Sequence, residues 1–104
     1  MVKLSVFYPA TDGFTFDKDY YLKTHIPLSL QLQGDAVKSI SVEFGLNDVA
    51  DVKPLYVAMC HFVYDSLDSF RETFMPHTEV LQGDIKNYTN IQTIIQFSEL
   101  VINK

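Results

Sequence analysis

The chain has 104 residues and is 47% hydrophobic, which fits one compact domain with a real core and leaves no room for a second. Thirteen acidic against eight basic residues give a formal net charge of −5, and the basic residues are scattered singly, so nucleic acid would be repelled. Eight Phe and six Tyr with no Trp are more than such a core needs, and some of those rings are expected to line a pocket or a subunit interface.

Val2 to Tyr8 alternates Val, Leu, Val, Tyr against Lys, Ser, Phe, the period of a half-buried strand, and Pro9 to Gly13 closes it with turn residues. A helix is predicted from about Asp17, a good N-cap, to Gln33, with Tyr21, His25, Leu28 and Leu32 on its core stripe. Pro27 cannot donate to the carbonyl of Lys23 and biases Ile26 away from helical geometry, which predicts a kink or a split beside His25. Gly34 ends the helix. Val37 to Phe44 reads as a second strand with Ile40, Val42 and Phe44 on one face, and Gly45 to Pro54 as a loop.

Leu55 to Tyr64 is almost continuously apolar apart from His61 and suits a central strand. Ser66 can cap a second helix carrying Leu67, Phe70 and Phe74, while Pro76 marks its end or the first turn of a short helix ending near Gly83. Asp84 to Asn90 reads as an irregular return before a last strand, Ile91 to Phe97. The order βαββαβ is the ferredoxin-like α+β arrangement, a four-stranded antiparallel sheet with both helices on one face. Its other face would keep large apolar side chains from Leu55 to Val63, so a homodimer through packed sheet faces is expected.

Cys60, the one cysteine, lies inside an apolar run and reads as a small buried hydrophobe in a cytoplasmic protein. Residues Met1 to Pro9 are apolar only briefly, and no stretch has the length needed to cross a bilayer, so neither secretion nor a membrane partner is expected.

The opening Met1 to Pro9, the Tyr20-Tyr21-x-x-x-His25-x-Pro27 portion of the first helix, Tyr56 to His61, Phe74 to His77 and Asn87-Tyr88-Thr89 together resemble the EthD family of dimeric α+β barrel proteins. The resemblance runs almost the whole chain and is most specific in the first helix. It implies a ferredoxin-like protomer, a dimer built by sheet packing and a cavity between helices and sheet. The family takes its name from an accessory component of a bacterial ether-degradation system. Related barrels include cofactor-free oxygenases and polyketide cyclases, in which His and polar aromatic side chains act on aromatic or polyketide substrates.

His25 is the leading candidate for general base or acid, with Tyr21 one turn earlier as its partner; the alternative is a core imidazole bonded to a carbonyl freed by Pro27. Tyr20 lies about 100° around the helix from Tyr21, so one of the two is expected at an interface or in solvent. His77 beside the Pro76 break either aims across the cavity as a third catalytic group or sits on an exposed loop. His61 faces either the pocket or the dimer, and strand period alone does not choose. Asn87 and Tyr88, in the return before the last strand, either close the mouth of the cavity as ligand-binding candidates or simply cap a turn, and Tyr8 at the end of the first strand has the same two readings. No metal-ligand spacing, phosphate loop or nucleophile elbow is present, so neither metal nor cofactor is expected.

Taken with the resemblance, which implies an aromatic or polyketide-like ligand by analogy with the related barrels, these residues lead to the expectation of a pocket for a small apolar metabolite, with cofactor-free proton transfer or oxygenation if the protein is an enzyme. The rival readings are a non-catalytic binding module that serves a separate enzyme and a purely structural dimer.

Overall fold

The computed structural model describes residues 1–104. The alternating segments become β1 (Val2–Pro9), β2 (Ser39–Phe44), β3 (Tyr56–Tyr64) and β4 (Ile94–Glu99), which form one antiparallel sheet in the order β2-β3-β1-β4. This is the expected ferredoxin-like α+β fold. Three strand starts move inward: β2 begins at Ser39 rather than Val37, β3 at Tyr56 rather than Leu55, and β4 at Ile94 rather than Ile91. Ile91 is buried in the segment leading to β4, so its apolar character reflects core packing without strand pairing.

Strand alternation divides the sheet sharply. Leu4 and Tyr8 of β1 pack with Ala58, Cys60, Phe62 and Tyr64 of β3 in the core beneath the helices. The intervening residues, among them Ser5, Phe7, Met59 and His61, take the opposite face. Ser5 pairs across from His61, and Phe7 across from Met59.

The first helical segment departs most from expectation. Asp17 caps α1 (Lys18–Tyr20), accepting from the Tyr20 amide at 3.0 Å, and a π-turn over Tyr21–His25 leads into α2 (Ile26–Gln33). The interruption expected beside His25 is present as a change of helix type, from π-turn to α-helix at Ile26, and not as a gap in the helix. The Ile26 amide instead donates to the Tyr21 carbonyl five residues back, so the chain accommodates the missing Pro27 donor by widening one turn.

The wider turn changes which residues face inward. Side chains four apart drift about 40° per step on an α-helix, and a wide turn holds that drift back. The buried row is therefore Tyr21, His25, Ser29 and Gln33, while Leu28 and Leu32, expected on the core stripe, are only half-buried. Polar groups thus occupy the inner face, and each requires a partner. Tyr64 meets that requirement for Gln33 by donating to its side-chain oxygen, and the Gln33 amide donates to Ser29 Oγ at 2.9 Å.

After β3, Ser66 caps α3 (Leu67–Thr73) as expected, its hydroxyl accepting from the Ser69 amide at 3.1 Å. Pro76 lies in a tight turn, Met75–His77, and α4 (Thr78–Asp84) follows directly. Asp84 therefore ends a helix and does not open an irregular return. Another tight turn spans Ile85–Asn87. No helix is long and apolar enough to cross a membrane.

Two glycines predict stability changes of opposite sign. A Cβ at Gly45 would collide with the Tyr56 carbonyl oxygen and the Pro54 ring, whereas one at Gly83, inside α4, would meet nothing within 4 Å. Gly45→Ala should lower unfolding free energy by about 1–3 kcal/mol, and Gly83→Ala should raise it by about 0.5–1 kcal/mol. Urea unfolding at constant m-value measures both.

Candidate functional site

Between the sheet and the helices lies a cavity of about 100 Å³ with a mainly apolar wall. Val6, Phe62 and Phe74 contribute to that wall, and Tyr8, Tyr21, His25 and Ser29 bring polar atoms to it. The π-turn and α2 thus supply His25 and Ser29 one helical turn apart on the same side of the cavity.

His25 Nδ1 lies 2.8 Å from Asp84 Oδ2. Two further donors converge on the other oxygen of that carboxylate: the Tyr20 hydroxyl at 2.6 Å and the Asn87 amide at 3.0 Å. Asp84 occupies the last position of α4, where the helix dipole disfavours a negative charge. Three donors from outside the helix compensate for that placement. Both His25 and Asp84 are largely shielded, with side-chain exposures of 11% and 12%.

Burial disfavours the imidazolium and lowers the His25 pKa from its ordinary 6.5, with the bond and charge of Asp84 pulling partly the other way. Desolvation by itself would push the Asp84 carboxyl up. The bonds from Tyr20, Asn87 and His25, with the charge of His25, outweigh it and hold Asp84 below its ordinary 3.8. At neutral pH the pair is therefore an ionised carboxylate and a neutral imidazole. An ionised carboxylate only accepts, so Nδ1 carries the proton and Nε2 keeps a lone pair. The ring lies 4.6 Å from Tyr88 and 5.8 Å from Tyr21, measured between centroids.

The nearby phenols stay protonated. Burial raises the pKa values of Tyr8, Tyr21 and Tyr88, and the Tyr8 and Tyr88 hydroxyls bond to each other at 2.8 Å. Cys60 on the cavity wall is pushed up to about 12, chiefly by burial, so its thiol is protonated and a poor nucleophile.

The structure gathers Tyr8, Tyr20, Tyr21, His25, Asn87 and Tyr88 around one centre. Tyr20, expected at an interface or in solvent if Tyr21 pointed inward, instead reaches the carboxylate that holds His25. His77 is not brought in: it sits half-buried on the tight turn before α4, away from the cavity wall. His61 faces away from the helices, bonded through Nδ1 to Ser5 Oγ at 2.8 Å, with Nε2 3.3 Å from Glu43. No three His, Cys, Asp or Glu side chains converge as a metal site requires. Asp84, Ser29 and Gln33 were not singled out from sequence. An acid in the last turn of a helix was the available signal for Asp84, but it depended on placing that turn correctly.

No family model and no curated protein matches the chain. Among solved structures, an EthD-like protein from Ralstonia eutropha JMP134 is 38% identical, with 99% of this chain and 94% of that one covered and a TM-score of 0.92. An ethyl tert-butyl ether D (EthD) family protein from Bacillus halodurans C-125 is 19% identical, with coverage of 95% and 97% and a TM-score of 0.71. A dimeric ferredoxin-like protein of unknown function from Thermobifida fusca YX shares the fold at 13% identity, with coverage of 93% and 88% and a TM-score of 0.57.

The depressed pKa values set the direction of the pH response. Both groups bind protons more readily in the unfolded chain, so the stability they contribute is present at neutral pH and is lost on acidification. The loss should begin below 6.5 with His25 and continue below 3.8 with Asp84. By NMR titration, His25 should titrate below 6.5. Asp84→Asn should move it lower still by removing the groups' attraction, and Tyr20→Phe should raise the Asp84 pKa. An upward move of His25 in Asp84→Asn would contradict the assigned pairing.

Proposed function

Because the chain belongs to the EthD-like family, we propose that it is a small-molecule-binding protein in which His25 serves as a cofactor-free general base. One observation carries this reading: His25 Nδ1 is bound to Asp84 at 2.8 Å while the same ring lines an apolar cavity. A carboxylate that fixes the tautomer and leaves Nε2 with a free lone pair, on a ring at a cavity wall, is what proton abstraction needs. Tyr20 and Asn87 orient the carboxylate, and Tyr8 and Tyr21 place protonated phenols on the cavity wall, with the Tyr8 hydroxyl bonded to that of Tyr88. His77 has no part in this reading.

Cavity size narrows the ligand. About 100 Å³ is too little for a polycyclic polyketide. The wall is apolar enough to favour a small apolar ligand through burial.

Assembly belongs to the same reading. Phe7, Val57 and Met59 leave apolar surface on the sheet face away from the helices, and two such faces related by a twofold axis would cover it. The dimeric description of the Thermobifida fusca protein supports that arrangement. Ser5, His61 and Glu43 would then lie at the interface.

Deuterium incorporation tests the base. Single-ring ketones incubated with the protein in D2O should gain deuterium at the carbon beside the carbonyl, followed by NMR. His25→Ala should abolish the protein-dependent rate, and Asp84→Asn should lower it by about 10²-fold or more. Binding without exchange would assign the pocket to a non-catalytic module, and failure to bind any member of the panel would refute the ligand class.

A further inference from the structure

Ser29 lies on the cavity wall, 3% exposed, one turn beyond His25. Its oxygen accepts from Gln33 at 2.9 Å, and Gln33 is held in turn by the Tyr64 hydroxyl. A serine inside a helix commonly donates its proton to the carbonyl one turn back, as Thr73 does to Ser69 at 2.8 Å. Ser29 does not make that bond. One of its two lone pairs accepts from Gln33, and its proton has no protein acceptor, so the cavity is where a partner can be found.

Resting on the general-base reading above, we propose that Ser29 is the carbonyl-binding donor of this pocket and that the substrate class is a small ketone or related carbonyl compound with an acidic neighbouring C–H. Side chains four apart on a helix have Cβ atoms about 5–6 Å apart, a span that a carbonyl group and its adjacent carbon can bridge. His25 Nε2 takes the proton from that carbon. The C–H electron pair becomes the C=C bond of the enolate, the carbonyl π pair moves onto oxygen, and the Ser29 hydroxyl holds the resulting oxyanion. Return of the proton from the imidazolium to carbon restores the carbonyl and the neutral base. No oxidant or second reactant is required.

Gln33 and Tyr64 are positioning residues. Tyr64 donates to the Gln33 carbonyl oxygen, which turns the amide nitrogen toward Ser29 and so directs the serine proton away from the helix. The buried polar row of α2 thereby gains a role beyond hydrogen-bond satisfaction.

Paired probes separate this inference from the reading it rests on. Acetophenone and ethylbenzene have similar shapes and differ in the carbonyl oxygen. Wild-type protein should bind acetophenone in preference to ethylbenzene, and the carbonyl stretch of the bound ketone, carbonyl-labelled with ¹³C, should move to lower frequency. Ser29→Ala should cut acetophenone affinity by about tenfold, leave ethylbenzene unchanged and remove the frequency shift. Gln33→Met should weaken the shift and lower exchange kcat more than it changes KM. His25→Ala should abolish deuterium exchange while keeping both the preference and the shift. Equal binding of the two probes by wild type, or an unchanged shift in Ser29→Ala, would overturn the assignment of Ser29. A shift that depends on Ser29 without exchange that depends on His25 would uphold this donor and overturn the base.

Discussion

Pro27 supplies one carbonyl fewer with a donor, and the arrangement of the site follows from how the helix accommodates that. A proline this deep in a helical pattern would ordinarily bend or break it. Here the loss is absorbed by the π-turn from Tyr21 to His25, and the helix continues. The added width offsets the drift between Tyr21 and His25, and Ser29 and Gln33 follow inward on α2. An α-helix of the same sequence would carry the row progressively around its axis and draw Leu28 and Leu32 toward the core. The turn therefore exchanges apolar for polar side chains on the inner face, and the surrounding structure supplies a partner for each that requires one.

Asp84 is the most demanding of those partners. It joins the C-terminal end of α4 to the first helical segment, and the donors around it come from Tyr20, His25 and Asn87. The helix dipole and partial burial both disfavour its charge, while three hydrogen bonds favour it. The balance leaves charge on the carboxylate and none on the imidazole. Polarity therefore falls from the outer edge of the cluster toward the cavity, with the ring of His25 marking the boundary.

The division of the sheet into two faces was legible in the alternation of Leu4, Val6 and Tyr8 with Ser5 and Phe7. The cap at Asp17 and the cap at Ser66 were legible too, because each bonds to a residue three positions on. Non-local contacts were not. Asp84 bonds to His25 across 59 residues, and only the folded chain brings them together. Ser29 and Gln33 were hidden for a different reason: helical periodicity assigns the inner face from an α-helical phase, and the π-turn shifts it. His61 remained open because alternation separates faces without saying which one the helices cover.

The chemistry of the pocket is constrained by the same burial that makes His25 available. An imidazole whose pKa is lowered is free of its proton at neutral pH, but it is also a weaker base. It cannot by itself match the acidity of an ordinary C–H group. Abstraction at such a carbon requires that the charge left behind be stabilised as it forms, and an apolar wall does nothing for that charge. A hydrogen-bond donor within reach of the developing oxyanion is therefore a physical necessity of the general-base reading. Ser29, with its oxygen fixed by Gln33 and its proton free, is placed to meet it, and the buried phenols can add further donors only if their own mutual bonds yield to the ligand. On the proposed reading the functional unit would be a base on the π-turn and a donor on α2, set one turn apart by the helix that Pro27 reshapes.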